Sequence, residues 1–193
     1  GANNVLVGKD AGGALTTNSD SVFIGVNAGK AVNASGVNNM AVGPNAMTRI
    51  SDGDGNLAVG INAIGFLDAA SCQYNTAIGN YAMSTGGSNS SAQAQYNVAV
   101  GYQALNGSLS DTADYNVAVG YQAGVAITSG NENVLVGSRA GDALTTGFGN
   151  VVIGQDTLST ATDVDQSVFI GQGACYGGDV TNAANGTIAI GYS

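Results

Sequence analysis

A short apolar segment ending in glycine recurs eleven times along this chain, and longer polar stretches separate the copies. The repeated glycines are Gly8, Gly25, Gly43, Gly60, Gly79, Gly101, Gly120, Gly137, Gly154, Gly171 and Gly191. Successive glycines lie 17 to 22 residues apart, most often 17. Because a unit this short cannot bury an apolar face by itself, the repeat predicts rungs that stack into a solenoid.

Each rung is predicted to contain a short β-strand that ends at the glycine. The residue before the glycine is always Val or Ile, and the residue two positions earlier is Val, Ile, Leu, Met or Thr. This period of two is typical of a strand with one face in a core. We therefore predict an all-β fold, a parallel β-solenoid (β-roll) of about 11 rungs. The predicted core column is Val7, Ile24, Val42, Val59, Ile78, Val100, Val119, Val136, Ile153, Ile170 and Ile190.

Two further positions of the repeat have a predicted structural role. A weaker apolar position, seven residues after the glycine, suggests a second short strand that closes the coil. It is occupied by Leu15, Val32, Ile50, Leu67, Ile127 and Leu144. Asparagine precedes the glycine by four residues in eight copies: Asn4, Asn39, Asn56, Asn75, Asn97, Asn116, Asn133 and Asn150. Stacked asparagines can cap turns and form a hydrogen-bonded ladder, and we favour this role over ligand binding.

The central residue of each strand is apolar in every copy. Neighbouring residues of a strand point to opposite faces, so this column is expected to point away from the core of its own rung. A continuous apolar ridge predicts burial against another chain, and a homotrimer around a common axis is the preferred oligomer. The alternative is a lone solenoid whose outer sheet packs on a partner domain. The predicted interchain interface is Leu6, Phe23, Ala41, Ala58, Ala77, Ala99, Ala118, Leu135, Val152, Phe169 and Ala189.

The motif Asn-x-Ala-Val/Ile-Gly-x-x-Ala resembles the head repeats of trimeric autotransporter adhesins. The stretches from Asn97 to Leu105 and from Asn116 to Gly124 are even more similar to repeats of phage tail-fibre proteins. The resemblance covers the whole chain, although the period is longer than in the adhesin heads. It implies a trimeric attachment fibre located outside the cell, on a virion tail fibre or a cell surface. It brings no catalytic residue with it.

Composition narrows the classes of partner. Thirteen acidic residues oppose four basic ones, which gives a net charge of −9. A surface this acidic argues against nucleic acid and against docking on an anionic bilayer. The sequence also contains no apolar run long enough to insert into a membrane. We expect residues 1–193 to form a single repeat domain, a segment of a longer fibre.

Catalysis and bound cofactors are not expected. The chain has no histidine, and no carboxylate occupies a position of the repeat that would mark a catalytic site. Asp52 and Asp54 resemble the spacing of calcium ligands, but solvated turns are the favoured interpretation, so no metal is predicted. Cys72 and Cys175 lie six rungs apart, roughly 29 Å at the usual strand spacing, which is too far for a disulfide within a straight chain.

Tyrosines near the middle of the chain are the candidate receptor-binding residues. The six are Tyr74, Tyr81, Tyr96, Tyr102, Tyr115 and Tyr121. Neighbouring rungs are expected to stack them as surface ladders, which suits recognition of a cell-surface glycan or protein receptor. The alternative is that they shield rung edges and stiffen the stack. The predicted function is an attachment fibre. A self-polymerising extracellular filament is the first rival, and a glycan-depolymerising tailspike is the less favoured one.

Overall fold

The computed structural model describes residues 3–32, 36–65, 72–84, 93–176 and 185–192. Within these ranges lie eleven strands of three residues each. They are β1 (Val5–Val7), β2 (Val22–Ile24), β3 (Met40–Val42), β4 (Leu57–Val59), β5 (Thr76–Ile78), β6 (Val98–Val100), β7 (Val117–Val119), β8 (Val134–Val136), β9 (Val151–Ile153), β10 (Val168–Ile170) and β11 (Ile188–Ile190). The strands pair in parallel and in chain order to form one sheet. The prediction of an all-β parallel solenoid is confirmed.

Every strand pair has the same register, so each position of the repeat forms a column along the solenoid. Val98, Ala99 and Val100 of β6, for example, face Val117, Ala118 and Val119 of β7. Equivalent residues of neighbouring rungs are thus about 4.8 Å apart. A side chain placed once per rung therefore meets its own counterpart above and below, which makes ladders of identical residues the main structural device of the fold.

The core of the solenoid is formed by the central strand residues, and the predicted core column is wrong. None of the residues before the glycine is buried. Val7 is 55% exposed, Ile24 38% and Ile190 71%. The full set on this outer side is Val7, Ile24, Val42, Val59, Ile78, Val100, Val119, Val136, Ile153, Ile170 and Ile190. Strand alternation was correctly predicted, but its two faces were exchanged.

The predicted interchain interface is wrong for the same reason. Nine central residues have no exposed surface, because they face the interior of their own rung: Phe23, Ala41, Ala58, Ala77, Ala99, Ala118, Leu135, Val152 and Phe169. Leu6 in the first rung is 46% exposed, and Ala189 in the last is partly buried. The β-branched residues belong outside because they stabilise strands through propensity and contacts with their counterparts in neighbouring rungs.

The interior is narrow, and in several rungs it is filled by two positions of opposite size. These are the central strand residue and the residue four after the glycine. Phe23 is paired with Gly29, whereas Ala99 is paired with Leu105. A Cβ atom built on Gly29 would lie 2.6 Å from Cδ1 of Phe23, so the phenyl ring occupies the space that a side chain would need.

The position seven residues after the glycine is a core position, but it does not form a second strand. Val32, Ile50, Ile127 and Leu144 are fully buried and Leu15 is partly buried. Instead of a strand, the backbone makes tight turns, in which for example the N–H of Ile127 donates to the carbonyl of Gly124 at 3.1 Å. Leu67 lies outside the described residues.

The asparagine ladder is confirmed, and it lies inside the solenoid. Asn97 has no exposed surface. Its amide donates to the carbonyl of Ala113 at 2.8 Å, and its Oδ1 accepts from the backbone N–H of Asn116 at 2.8 Å. The same two bonds recur from Asn39 to Asn150, so a side chain in one rung satisfies backbone groups of the next. This explains why the column is nearly invariant, since buried polar backbone groups must be paired.

Removing one member of this ladder should destabilise the fold strongly. We expect Asn97→Ala to lower the free energy of unfolding by about 2–4 kcal/mol, because the Ala113 carbonyl and the Asn116 N–H lose their buried partner. Asn97→Ser is the matched control. Ser167 occupies the same column and its hydroxyl accepts from the N–H of Thr187 at 3.0 Å. The urea midpoint of Asn97→Ser should therefore lie between those of the wild type and Asn97→Ala. Equal midpoints for all three proteins would show that the ladder does not stabilise the fold.

No helix in the part of the chain that the structure describes has the length and apolar character needed to cross a bilayer.

Candidate functional site

The outward-facing residues of the sheet make one long apolar surface. We define the outer sheet face as the first and third residues of β1 to β11. All of these residues except Thr76 are Val, Ile, Leu or Met, and none is charged. At about 4.8 Å between strands, the face extends for roughly 50 Å. Apolar surfaces of this extent on a soluble protein mark sites of interaction.

The tyrosines border this face in its middle third. Tyr74, Tyr96 and Tyr115 each lie two residues before a strand, and we call them the tyrosine column. Their ring centroids are 5.4 Å apart between Tyr74 and Tyr96 and 5.0 Å between Tyr96 and Tyr115. The interplanar angles are 12° and 5°, so the rings are stacked nearly parallel. The predicted ladder is therefore present in this column.

The other three predicted tyrosines form a second group at the opposite ends of the strands. Tyr102 and Tyr121 lie two residues after β6 and β7, and their rings stack at 5.8 Å. Tyr81 contacts Tyr102 edge-on at 6.0 Å. The structure thus divides the six predicted residues into two ladders, separated by the apolar strands, rather than bringing them into one cluster.

The backbone of the tyrosine column has a left-handed conformation that the sequence analysis did not foresee. The φ angles of Tyr74, Tyr96 and Tyr115 are 55°, 58° and 59°. The same position is left-handed in all the other rungs, where it holds Asn3, Asp20, Asn38, Gly55, Glu132, Gly149, Gln166 and Gly186. Six of these eight are Asn, Asp or Gly, which tolerate this conformation, and Glu132 and Gln166 do not belong to that group. That preference for Asn, Asp and Gly was visible in the sequence. Tyrosine departs from it at three successive rungs.

Asp54, one of the two carboxylates that resemble calcium ligands, bonds the backbone. Asp54 Oδ1 accepts from the N–H of Val37 at 2.9 Å, and Asp114 and Asp165 make the same bond to Gln95 and Phe148. All three aspartates stand six residues before a repeat glycine, so they form a capping column. Among the described residues no group of three His, Cys, Asp or Glu side chains is placed to hold a metal ion.

Two partly buried carboxyls give the fold a defined pH dependence. Burial raises the pKa of Asp114 and of Asp142 above the ordinary value of aspartate. The folded chain therefore holds protons at a pH where the unfolded chain has released them. The two carboxyls therefore contribute to the free energy of unfolding at low pH. This contribution is lost as the pH rises through their raised pKa.

We accordingly expect mild acid not to destabilise the solenoid. The thermal midpoint followed by circular dichroism should be at least as high at pH 5 as at pH 7. Asp114→Asn should reduce this difference, because an amide oxygen can still accept from the Gln95 N–H but does not titrate. A midpoint that falls steadily between pH 7 and pH 5 would contradict the prediction.

The two cysteines are chemically distinct and neither forms a disulfide. Cys72 is buried, and burial raises the pKa of its thiol to about 12, so little thiolate exists near neutral pH. Cys175 is partly buried, and its pKa is also raised by burial. Neither environment is that of a nucleophilic cysteine.

Comparison with protein-family models, curated protein sequences and solved structures gives no match for this chain. The class of protein that the fold defines is the parallel β-solenoid.

Proposed function

We propose that this chain is a structural segment of an attachment fibre outside the cell, which provides reach and binds a host or other surface. The observation that carries the proposal is the parallel sheet of eleven strands, β1 to β11, with its long apolar outer face. A rod of this kind supplies length and stiffness, and it repeats surface groups at a fixed spacing. The described carboxylates of the capping column are engaged with backbone N–H groups, which supports a structural role over catalysis.

The fibre is a homotrimer in which the outer sheet face joins the copies. Each chain carries a net charge of −9, so contacts through most other surfaces would bring aspartates together. The outer sheet face has no charge, and exposed Val26 and Ile61 continue it on the side that follows the glycines. The outer sheet face, three residues wide, covers on the order of 500 Å², which is more than half of the roughly 800 Å² per partner of a stable interface. Three chains around an axis is the arrangement that the resemblance implies.

The test of this proposal is the native mass by multi-angle light scattering. Wild type is expected at three chains. Val119→Lys places a charge in the outer sheet face and should reduce the mass to one chain, while circular dichroism still reports the β-solenoid. Ser108→Lys is the matched control, since it adds the same charge at an exposed position of the turn between β6 and β7, outside the strands and outside the column that follows the glycines. A wild-type mass of one chain would exclude the trimer.

A self-polymerising filament is the second candidate, because parallel pairing in one constant register allows strands of another copy to continue the same sheet. In the described residues β1 pairs only with β2, and β11 pairs only with β10. The residues of β11 that face outwards are largely exposed, with Ile188 at 73%. An open parallel edge can accept another strand. Light scattering separates the two candidates, since a filament gives a mass that rises continuously with concentration, whereas a trimer gives a constant mass.

A further inference from the structure

The tyrosine column occupies backbone positions that are unfavourable for tyrosine. All three residues are left-handed, a conformation that disfavours side chains with a Cβ, whereas six of the eight other rungs place Asn, Asp or Gly there and two place Glu132 and Gln166. Stacking between the rings offsets part of this strain. It does not explain why the rings are confined to rungs 5, 6 and 7, where the insertions between rungs also occur.

The rings expose their edges and hydroxyl groups rather than their faces. Tyr96 is stacked on both sides, by Tyr74 and Tyr115, yet it remains 42% exposed. The outer face of Tyr74 rests on Gly55, where a Cβ atom would lie 2.7 Å from the ring. Aromatic edges are electropositive, and the phenol is a hydrogen-bond donor. The column therefore presents a straight row of groups that attract oxygen atoms.

The spacing of this row matches a linear polymer of sugars. The ring centroids are separated by 5.0 and 5.4 Å along the solenoid. A chain of equatorially linked pyranoses advances by nearly the same distance for each sugar. Three successive sugars can thus lie along three successive tyrosines without any bend in either partner, and each sugar offers ring or hydroxyl oxygen atoms to one tyrosine as the sugar edges alternate.

The charges around the column favour a neutral ligand. The chain has no lysine or arginine between Arg49 and Arg139, which includes all the rungs that carry the column. Asp114 and Glu132 lie in or next to those rungs, and both repel an anion. Sulfated, phosphorylated or uronic-acid polymers are therefore disfavoured.

We propose that Tyr74, Tyr96 and Tyr115 bind a neutral, linear, equatorially linked polysaccharide that lies parallel to the solenoid axis. This inference rests on the proposed attachment function and names the chemistry of its receptor. Tyr102 and Tyr121 stand at the other ends of the strands, next to the surface assigned to contacts between copies. Binding is therefore confined to one edge of the outer sheet face.

The test uses variants that restore the residue found elsewhere in the column. Tyr96→Asn and the triple variant Tyr74→Asn, Tyr96→Asn, Tyr115→Asn keep the left-handed backbone, since Asn3 and Asn38 already adopt it. Glu132→Asn is the matched control in the next rung. The probes are immobilised β-1,4-glucan, β-1,4-mannan, β-1,4-xylan and chitin, with polygalacturonate and heparin as anionic comparisons. Retention is measured by affinity electrophoresis or biolayer interferometry, and folding by circular dichroism.

The wild type should be retained by at least one neutral polymer and by neither anionic one. The triple variant should bind at least tenfold more weakly, Tyr96→Asn should show an intermediate loss, and Glu132→Asn should match the wild type. Absence of binding to all four neutral polymers, with the native mass still at three chains, would overturn this inference but leave the fibre proposal intact. Loss of the trimer in the folded triple variant would also overturn it, because the tyrosines would then be contacts between copies.

Discussion

Replacing Gly101 with alanine is expected to lower the free energy of unfolding by more than about 4 kcal/mol, or to prevent folding altogether. A Cβ atom at this position would lie 2.3 Å from the carbonyl oxygen of Gly120 in the next rung. The rungs cannot move apart to relieve the contact, because the N–H of Gly120 donates to the carbonyl of Val100 at 2.8 Å. The φ of Gly101, 137°, is in addition strained for any residue with a side chain.

The variant Gly191→Ala separates the effect of the close contact between rungs from the effect of backbone strain. Gly191 has a similar φ of 146°, but a Cβ atom there would meet nothing within 4 Å. This variant should therefore show only the backbone strain, about 1–3 kcal/mol. Thermal or urea unfolding of the two variants provides the comparison. If the two variants lose the same free energy of unfolding, the glycine column is not required for the close approach between rungs.

Phe23→Ala is expected to cost about 3–5 kcal/mol, and Gly29→Met should restore part of that loss. The single change to alanine leaves a cavity in the narrow interior. The single change Gly29→Met overfills it, because the phenyl ring lies where the new side chain begins. The double variant reproduces the third rung, where Ala41 is paired with Met47 and the latter has a φ of 53°.

A double-mutant cycle measures this compensation. The two single variants and the double variant are compared with wild type by urea unfolding. We expect the double variant to be more stable than either single variant, which corresponds to a favourable coupling of at least about 1 kcal/mol. Additive losses would show that the two positions do not share one space, and that the inverse sizes along the chain have another origin.

The glycine period and the asparagine column were sufficient to predict the parallel stack, its register and the ladder of side chains. Both patterns place one residue type at the same point of every rung, and stacking in one constant register is the arrangement that satisfies them. Asn97 could be assigned to a ladder from sequence alone, because an invariant polar residue before a short strand has to satisfy backbone groups at every rung.

Which face of each strand points into the core could not be predicted from apolar character, because both faces are apolar. The invariance of Val100 and its equivalents suggested a core, but it reflects strand propensity on the outside. A better signal was present in the sequence. In several rungs the two interior positions have opposite sizes: Phe23 is paired with Gly29, whereas Ala99 is paired with Leu105. Residues that share a closed space are expected to behave in this way.

The tyrosine site was only partly predictable. The equal spacing of Tyr74, Tyr96 and Tyr115 before the glycine predicted their stacking, which the structure contains. Their separation from Tyr102 and Tyr121 by the strands, and their left-handed backbone, depend on the path of each turn. Those properties arise from hydrogen bonds between rungs rather than from local sequence preference.

The most direct test of the account is a comparison of cysteine at two neighbouring positions, Ala99→Cys and Val100→Cys, in a chain whose two native cysteines are replaced. The account predicts that a thiol at 99 faces the interior of its own rung and does not react with an added reagent under native conditions. A thiol at 100 lies in the outer sheet face, where mild oxidation should link it to the same residue of a second copy. Cross-linking through position 99, with position 100 inert, would contradict the account.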